Sequence, residues 1–224
     1  MNLLKQLGIG AVVGALVALI FLFFPYSSLS FPVITAIIVL YIVVLILWIS
    51  AGVISRSISK LIHTDWQGDK EDEAEAIINR KFYDYSFCMN VSAIIAILGF
   101  AMAVMENHFT LIIIGLIATI VSTLMGSYMI KLMKKAYPER NLPDVNEKNY
   151  AKKLLAVSDE GEKHIMLHGM YKAYNFSNVG FMFAIMGITL YSVATEDSQL
   201  FSIIIISIIL LITNVIYIFT IRNK

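Results

Sequence analysis

From Gln6 to Ser55 the chain runs for fifty residues without one Asp, Glu, Lys, Arg or His. A bilayer core of roughly 30 Å takes about 20 helical residues at about 1.5 Å each. Fifty residues are therefore two spans and a turn. Pro25-Tyr26-Ser27-Ser28 and Pro32 supply the turn, which places the first span near 4–24 and the second near 31–55. Two later stretches repeat the arrangement. Residues 85–105 and 109–130 flank Glu106-Asn107-His108, and residues 173–195 and 199–221 flank Glu196-Asp197-Ser198. The pattern predicts an all-α polytopic membrane protein, six helices in three tight hairpins forming one integral domain over 1–224. The first apolar run is longer than the about 7–15 residues of a signal peptide. Phe21-Leu22-Phe23-Phe24-Pro25 offers no small-x-small cleavage site, so the first span is expected to be retained.

Composition agrees. The chain is 58% hydrophobic and 15% charged, against about 45–50% and about 25% in a soluble domain. Disordered, collagen-like and disulfide-rich classes are excluded by the same figures. Cys88 is the single cysteine, so neither an internal disulfide nor a thiolate metal site can be built. The placement of charge says more than its sum. All seventeen Lys and Arg fall on one side of the six-span arrangement, while the other side holds Glu106, Glu196 and Asp197 and no cation. By the positive-inside rule both termini are expected in the cytoplasm.

Two cytoplasmic segments remain, 56–84 and 131–172. The first carries five cations against seven acids, the second nine against six. Neither is long enough to bury a core of its own, so juxtamembrane helices continuous with the spans are expected and a separate catalytic domain is excluded. The two segments also resemble each other. Asp72-Glu73-Ala74-Glu75 leads to Tyr83 and Asn90-Val91, and Asp159-Glu160-Gly161-Glu162 leads to Tyr171 and Asn178-Val179. The acidic quartets are 87 apart and the later pairs 88 apart, which reads as a parallel repeat of a loop-plus-hairpin unit or as coincidence. Acids in a first helical turn also have a structural role, complementing the helix dipole, and Ser158 is placed to cap the second such helix.

The string Asp159-Glu160-Gly161-Glu162-Lys163-His164, followed by Met166 and Tyr171-Lys172-Ala173-Tyr174, resembles a bacterial membrane-protein family known as domain-of-unknown-function family 3169. The likeness extends to the six-helix layout, the acidic first loop and the Pro-containing second loop. It implies a small multi-pass protein of the bacterial cytoplasmic membrane, and it brings no catalytic or ligand-binding residue with it.

The sharpest chemical candidate is Glu160, His164 and His168, four apart on one helical stripe, which could offer three ligands to a divalent metal. Ile165 stands where a zinc protease motif needs Glu, and two solvated histidines on a helix are the simpler reading. The spans contain no acid or base, which argues against proton- or sodium-coupled transport. Asn214, Asn90 and Asn178 are expected to hydrogen-bond between helices. Small residues recur at helical spacing: Gly10, Gly14 and Ala18; Gly115, Thr119, Ser122 and Gly126; Gly180, Ala184 and Gly187. They suit close helix contact, within the bundle or with a partner. Tyr150, Leu154 and Val157, with Lys148, Lys152 and Lys153, suit a short helix on an anionic leaflet, with Trp66 and Tyr137 as interfacial anchors.

No catalytic set and no cofactor site emerges. The expectation is a non-enzymatic accessory or regulatory membrane protein that engages a membrane or cytoplasmic partner, such as a transporter subunit or a membrane-held transcription regulator. Asp72, Glu73, Glu75, Asp159, Glu162 and Tyr171 are the candidate contact or structural residues. No direct nucleic-acid binding is expected, and self-association is open. The competing readings are a transporter or channel for a small or amphipathic solute and, on the Glu160/His164/His168 stripe, a metal-dependent membrane enzyme.

Overall fold

A computed structural model describes residues 32–64, 69–140, 142–143 and 147–222 of the chain. These residues form α1 (Val33–Ile62), α2 (Asp69–Met105), α3 (Phe109–Ala136), a 3-10 turn (Pro138–Arg140), α4 (Tyr150–Val157), α5 (Glu160–Thr195) and α6 (Leu200–Arg222), with no strand among them. Five of the helices, all but α4, are long and apolar enough to cross a membrane. The expected first span, near 4–24, lies outside the described residues. The Ile- and Val-rich sequence of α1 would make a mediocre helix in water, but in lipid every backbone N–H and C=O must be satisfied within its own segment. The chain divides into two compact units, 30–159 and a second that includes 160–222.

In the first unit α2 packs extensively on both α1 and α3, which touch each other less. Pro32 caps α1: its carbonyl accepts from Thr35 N at 2.8 Å and Ala36 N at 3.2 Å, and its missing N–H costs nothing at a helix start. The core forms successive clusters along the helices: Ile37, Tyr41, Ala103 and Leu111; Val44, Ala96 and Ala118; Ala51, Tyr85, Cys88 and Met89; Ile58, Ile78, Phe82 and Leu132. Hydrogen bonds tie the layers. Tyr41 OH donates to Leu111 O at 2.9 Å, Trp48 Nε1 to Ser122 Oγ at 2.9 Å, Ser92 Oγ to Ser122 Oγ at 3.1 Å and Tyr85 OH to Met125 O at 2.8 Å. The α2–α3 turn closes on Asn107 at φ 53°. Asn107 N donates to Val104 O and His108 N to Ala103 O, both at 3.1 Å, a Schellman closure with Asn where glycine is commonest.

The helices outrun the expected spans. α1 continues past residue 55 to Ile62, and α3 past residue 130 to Ala136, because leaving hydrocarbon does not by itself break an i→i−4 ladder. α2 and α5 are 37 and 36 residues long, about 55 Å at about 1.5 Å per residue against a core of roughly 30 Å. Each begins near its acidic quartet and runs unbroken into apolar sequence. Ser158 departs from expectation: its Oγ donates backward to Leu154 O at 2.9 Å, so it closes α4 rather than capping α5.

In the second unit α5 and α6 are joined by a turn in which Glu196 takes φ 60°. Ser192 Oγ donates to Asp197 O at 2.8 Å and accepts from Gln199 N at 3.1 Å. Neither helix has a buried residue. Their contact is therefore carried by part-buried polar and aromatic groups.

Candidate functional site

Spacings of three and four place His164, His168, Tyr171 and Tyr174 on one face of α5, and α6 returns Tyr217 and Thr220 opposite them. These residues, with Leu167, Met170 and Ile221, line a cavity of about 770 Å³, within the range of small-ligand sites. Its floor is a chain of bonds between the helices. The Tyr174 and Tyr217 rings stack at 4.5 Å with 27° between their planes. Tyr174 OH donates to Asn214 Oδ1 at 2.7 Å, and Asn214 Nδ2 donates to Asn178 Oδ1 at 2.6 Å and to Leu210 O at 2.8 Å. Asn178 Nδ2 completes the set by donating to Tyr174 O at 3.0 Å. The interhelical role expected of Asn178 and Asn214 is thus observed.

Above this floor the wall is chemically open. Neither imidazole, nor the hydroxyl of Tyr171 or Tyr217, hydrogen-bonds to a described residue. The cavity offers apolar and aromatic surface with donors at its rim, a combination suited to an amphipathic molecule. Counted from the Thr195 end at about 1.5 Å per residue, Asn178 stands about 25 Å along α5, Tyr174 about 31 Å and His168 about 40 Å.

The structure separates the proposed metal ligands. Glu160 accepts from Lys163 Nζ at 2.9 Å and is exposed, whereas His164 and His168 stand on the cavity wall. Eight residues of helix put Glu160 and His168 about 12 Å apart along the axis. Among the described residues no group of three His, Cys, Asp or Glu could hold a metal ion.

Of the acidic motif, Glu162 lies with Glu160 in the first turn of α5, where acids complement the helix dipole. Asp159 is exposed between α4 and α5, and Tyr171 joins the histidines on the cavity wall. Asp72, Glu73 and Glu75 belong to the other unit, near the start of α2. Glu73 is exposed, and Glu75 pairs with Arg140 at 3.7 Å, so the acidic first loop meets the basic second. Tyr137, read as an interfacial anchor, fastens the same junction: its OH donates to Asn79 Oδ1 at 2.7 Å, and Arg140 lies 5.0 Å over its ring. Trp66 lies outside the described residues. α4 forms as expected; burial there pushes the Tyr150 hydroxyl above its ordinary range, with Lys134 opposing the shift.

Glycines differ in how closely they are packed, and Gly52 in the first unit has nothing within 4 Å of its Cβ position. A Cβ on Gly99 would meet the Tyr41 ring at 2.6 Å, and one on Gly115 would meet the Tyr41 hydroxyl and Phe100 Cα. Gly169 and Gly180 have nothing within 4 Å of that position. A second, smaller cleft of about 300 Å³ lies between α2 and α3, where Ser86, Asn90, Ser122, Thr123 and Ser127 supply its polar wall.

Sequence reasoning missed Tyr217 and the cavity as a whole. Its signal was the run His164, His168, Tyr171 and Tyr174 at helical spacing, which read as one wall without a partner. No curated protein and no solved structure matches the chain. A family model described as "Protein of unknown function (DUF3169)" matches residues 1–221, and the chain belongs to that family.

Proposed function

We propose that the protein is a non-enzymatic accessory or regulatory subunit of the bacterial cytoplasmic membrane. In this reading it crosses the bilayer six times in three hairpins with both termini in the cytoplasm. It engages a protein partner through α5 and its cytoplasmic extension. The observation that carries the reading is the open small-residue face of α5. In the first unit Gly99 and Gly115 are filled by Tyr41 and Phe100. Along α5, Gly169 and Gly180 share a face with exposed Ile165 and Phe176, and space is open at both glycines. Lipid supplies no hydrophobic drive between helices, so a small-residue face gains by close contact with another helix. The acids Glu160 and Glu162 at the cytoplasmic start of the same helix add a polar contact surface.

The test is affinity purification of the tagged full-length protein from native membranes in mild detergent, followed by mass spectrometry. The expected result is one partner at equal stoichiometry that is lost from Gly180→Leu protein. A homo-oligomer with nothing attached, or a partner indifferent to the substitution, defeats the reading.

A second reading, a transporter or channel for a small or amphipathic solute, has one observation in its favour. The Ser86/Asn90/Thr123/Ser127 cleft sets polar side chains within two apolar helices. Solute uptake by reconstituted liposomes, abolished by Asn90→Leu, would favour it.

A further inference from the structure

We infer that the α5–α6 cavity is a binding site for an anionic phospholipid of the inner leaflet. The inference rests on the orientation proposed above and not on the partner reading. Depth is the first argument. With the Glu196 turn at the outer surface, a hydrocarbon core of roughly 30 Å ends near Tyr174 on α5 and Thr220 on α6. The cavity therefore straddles the inner boundary, its aromatic floor at the edge of the hydrocarbon, Tyr171 and His168 about 5 and 9 Å beyond it at the headgroups, and His164 about 15 Å beyond, on their cytoplasmic side.

The lining matches that gradient. The stacked Tyr174 and Tyr217 rings with Met170 and Ile221 offer apolar surface to the first carbons of an acyl chain. About one, two and three turns nearer the cytoplasm, the Tyr171 hydroxyl, His168 and His164 are donors without a described acceptor. A neutral imidazole still donates one N–H, and a phosphate offers several acceptor oxygens.

Charge selects among headgroups. Lys172 stands one turn after His168, and Arg222 follows Ile221 of the cavity wall and offsets the negative end of α6. Glu160, the nearest acid along the stripe, is already paired with Lys163. Glu162 and Glu160 stand about 18 and 21 Å past Tyr174 along α5, so Lys172 and Arg222, each about 3 Å past the hydrocarbon edge, are the charges of these helices at headgroup depth, which favours an anionic headgroup over a zwitterionic one by about fivefold for each cation near the membrane surface.

The test is native mass spectrometry of the full-length protein, delipidated and then offered phosphatidylglycerol or phosphatidylcholine at equal concentration. The expected result is retention of phosphatidylglycerol over phosphatidylcholine by about fivefold or more, reduced about fivefold in Lys172→Gln. Retention of both lipids should fall in His164→Ala/His168→Ala, and Leu167→Trp, which fills the cavity and keeps both imidazoles, should bind neither lipid. Millimolar inorganic phosphate should not displace the lipid, since the chain shares the site. Equal retention of the two lipids overturns the inference, as does wild-type retention in both the double variant and Leu167→Trp. So does a change of oligomeric state on Leu167→Trp without lipid loss, which would make a second copy the occupant. Protease access to a C-terminal tag in sealed vesicles tests the orientation separately.

Discussion

Gly115→Ala adds one methyl group at the most crowded glycine described. The new Cβ would stand 2.9 Å from Phe100 Cα, a backbone atom, and closer still to the Tyr41 hydroxyl. Neither neighbour has room to yield. Tyr41 is only 8% exposed, its OH is bonded to Leu111 O, and its ring already rests against Gly99. Overpacking of this kind costs about 1–3 kcal/mol, and the rigid backbone contact puts Gly115 at the upper end. Ala gains about 1 kcal/mol over Gly in helix preference, leaving a net loss of about 2 kcal/mol. At this chain length that lowers Tm by about 4–8 °C.

The protein carries its own probe. Cys88 is its only cysteine and is buried beside Ala51, Tyr85 and Met89 in the same unit, so a thiol-reactive dye reads the opening of the three-helix core on heating. Gly180→Ala, where the Cβ meets open space, should leave the far-UV circular-dichroism midpoint unchanged or slightly higher. In a Tyr41→Phe background the cost of Gly115→Ala should shrink by at least about 0.5 kcal/mol, because the nearest clashing atom is gone. Wild-type or higher melting of Gly115→Ala would refute the packing described.

Three further outcomes follow from particular bonds. Asn214→Leu removes two interhelical hydrogen bonds, each worth about 0.6 and at most about 1.7 kcal/mol in a bilayer, so unfolding in graded SDS should show a loss of about 1–3 kcal/mol. Tyr174→Phe should then add little in that background; fully additive costs would break the proposed network. Glu196 holds φ 60°, a conformation that costs an L-residue about 1–2 kcal/mol and glycine almost nothing. After the entropy glycine loses on folding, Glu196→Gly should stabilise by up to about 1 kcal/mol in the same titration, and a loss would show that the side chain matters there. Burial holds the Tyr150 hydroxyl above its ordinary range. The folded state thus favours the neutral phenol, and that stability is present below about pH 10 and is lost as pH rises through the higher folded value. Tyr150→Phe should lose less stability than wild type between pH 9 and 11, and parallel pH profiles would exclude the effect.

Much of the fold was legible because lipid removes choices. Absence of charge located α1, α3 and α6, and Pro32 and Glu106-Asn107-His108 fell where helices begin and turn. Helix ends were less legible. Hydropathy marks where a chain leaves hydrocarbon, and Arg56 and Lys60 leave it without ending α1. Ser158 shows a related limit, since a cap residue between two helices can serve either one and only the bond to Leu154 O decides. Within the site, His164, His168 and Tyr171 were visible as one stripe because a single helix sets their spacing. Tyr217 and Asn214 were not, because their contribution depends on the register of α6 against α5, which apolar sequence leaves almost unmarked. The arrangement of the metal candidates was illegible for the complementary reason. Three ligands on one stripe share a face but are spread along it, and Glu160 has a nearer cation in Lys163.

Read as a repeat and not as coincidence, the 88-residue offset gives the two halves a common plan with different uses. It maps Ser86 onto Tyr174 and Asn90 onto Asn178, so each long helix sets a polar pair at the same register below an acidic start. In the first unit the neighbouring polar groups are spent on cohesion: Ser122 accepts from both Trp48 and Ser92, and Tyr41 fills the glycine gaps. In α5 and α6 the polar groups form one narrow seam, Tyr174–Asn214–Asn178. No residue of either helix is buried, and donors and glycines are left open. A pair held mainly by hydrogen bonds worth about 0.6 kcal/mol each needs little energy to open or shift. A ligand or partner seated on one arrangement can therefore move the population by its own differential affinity. On the proposed regulatory reading α5 and α6 are where a ligand or partner acts, and Asn214, which holds the seam below the cavity, is the residue whose loss should weaken lipid or partner binding.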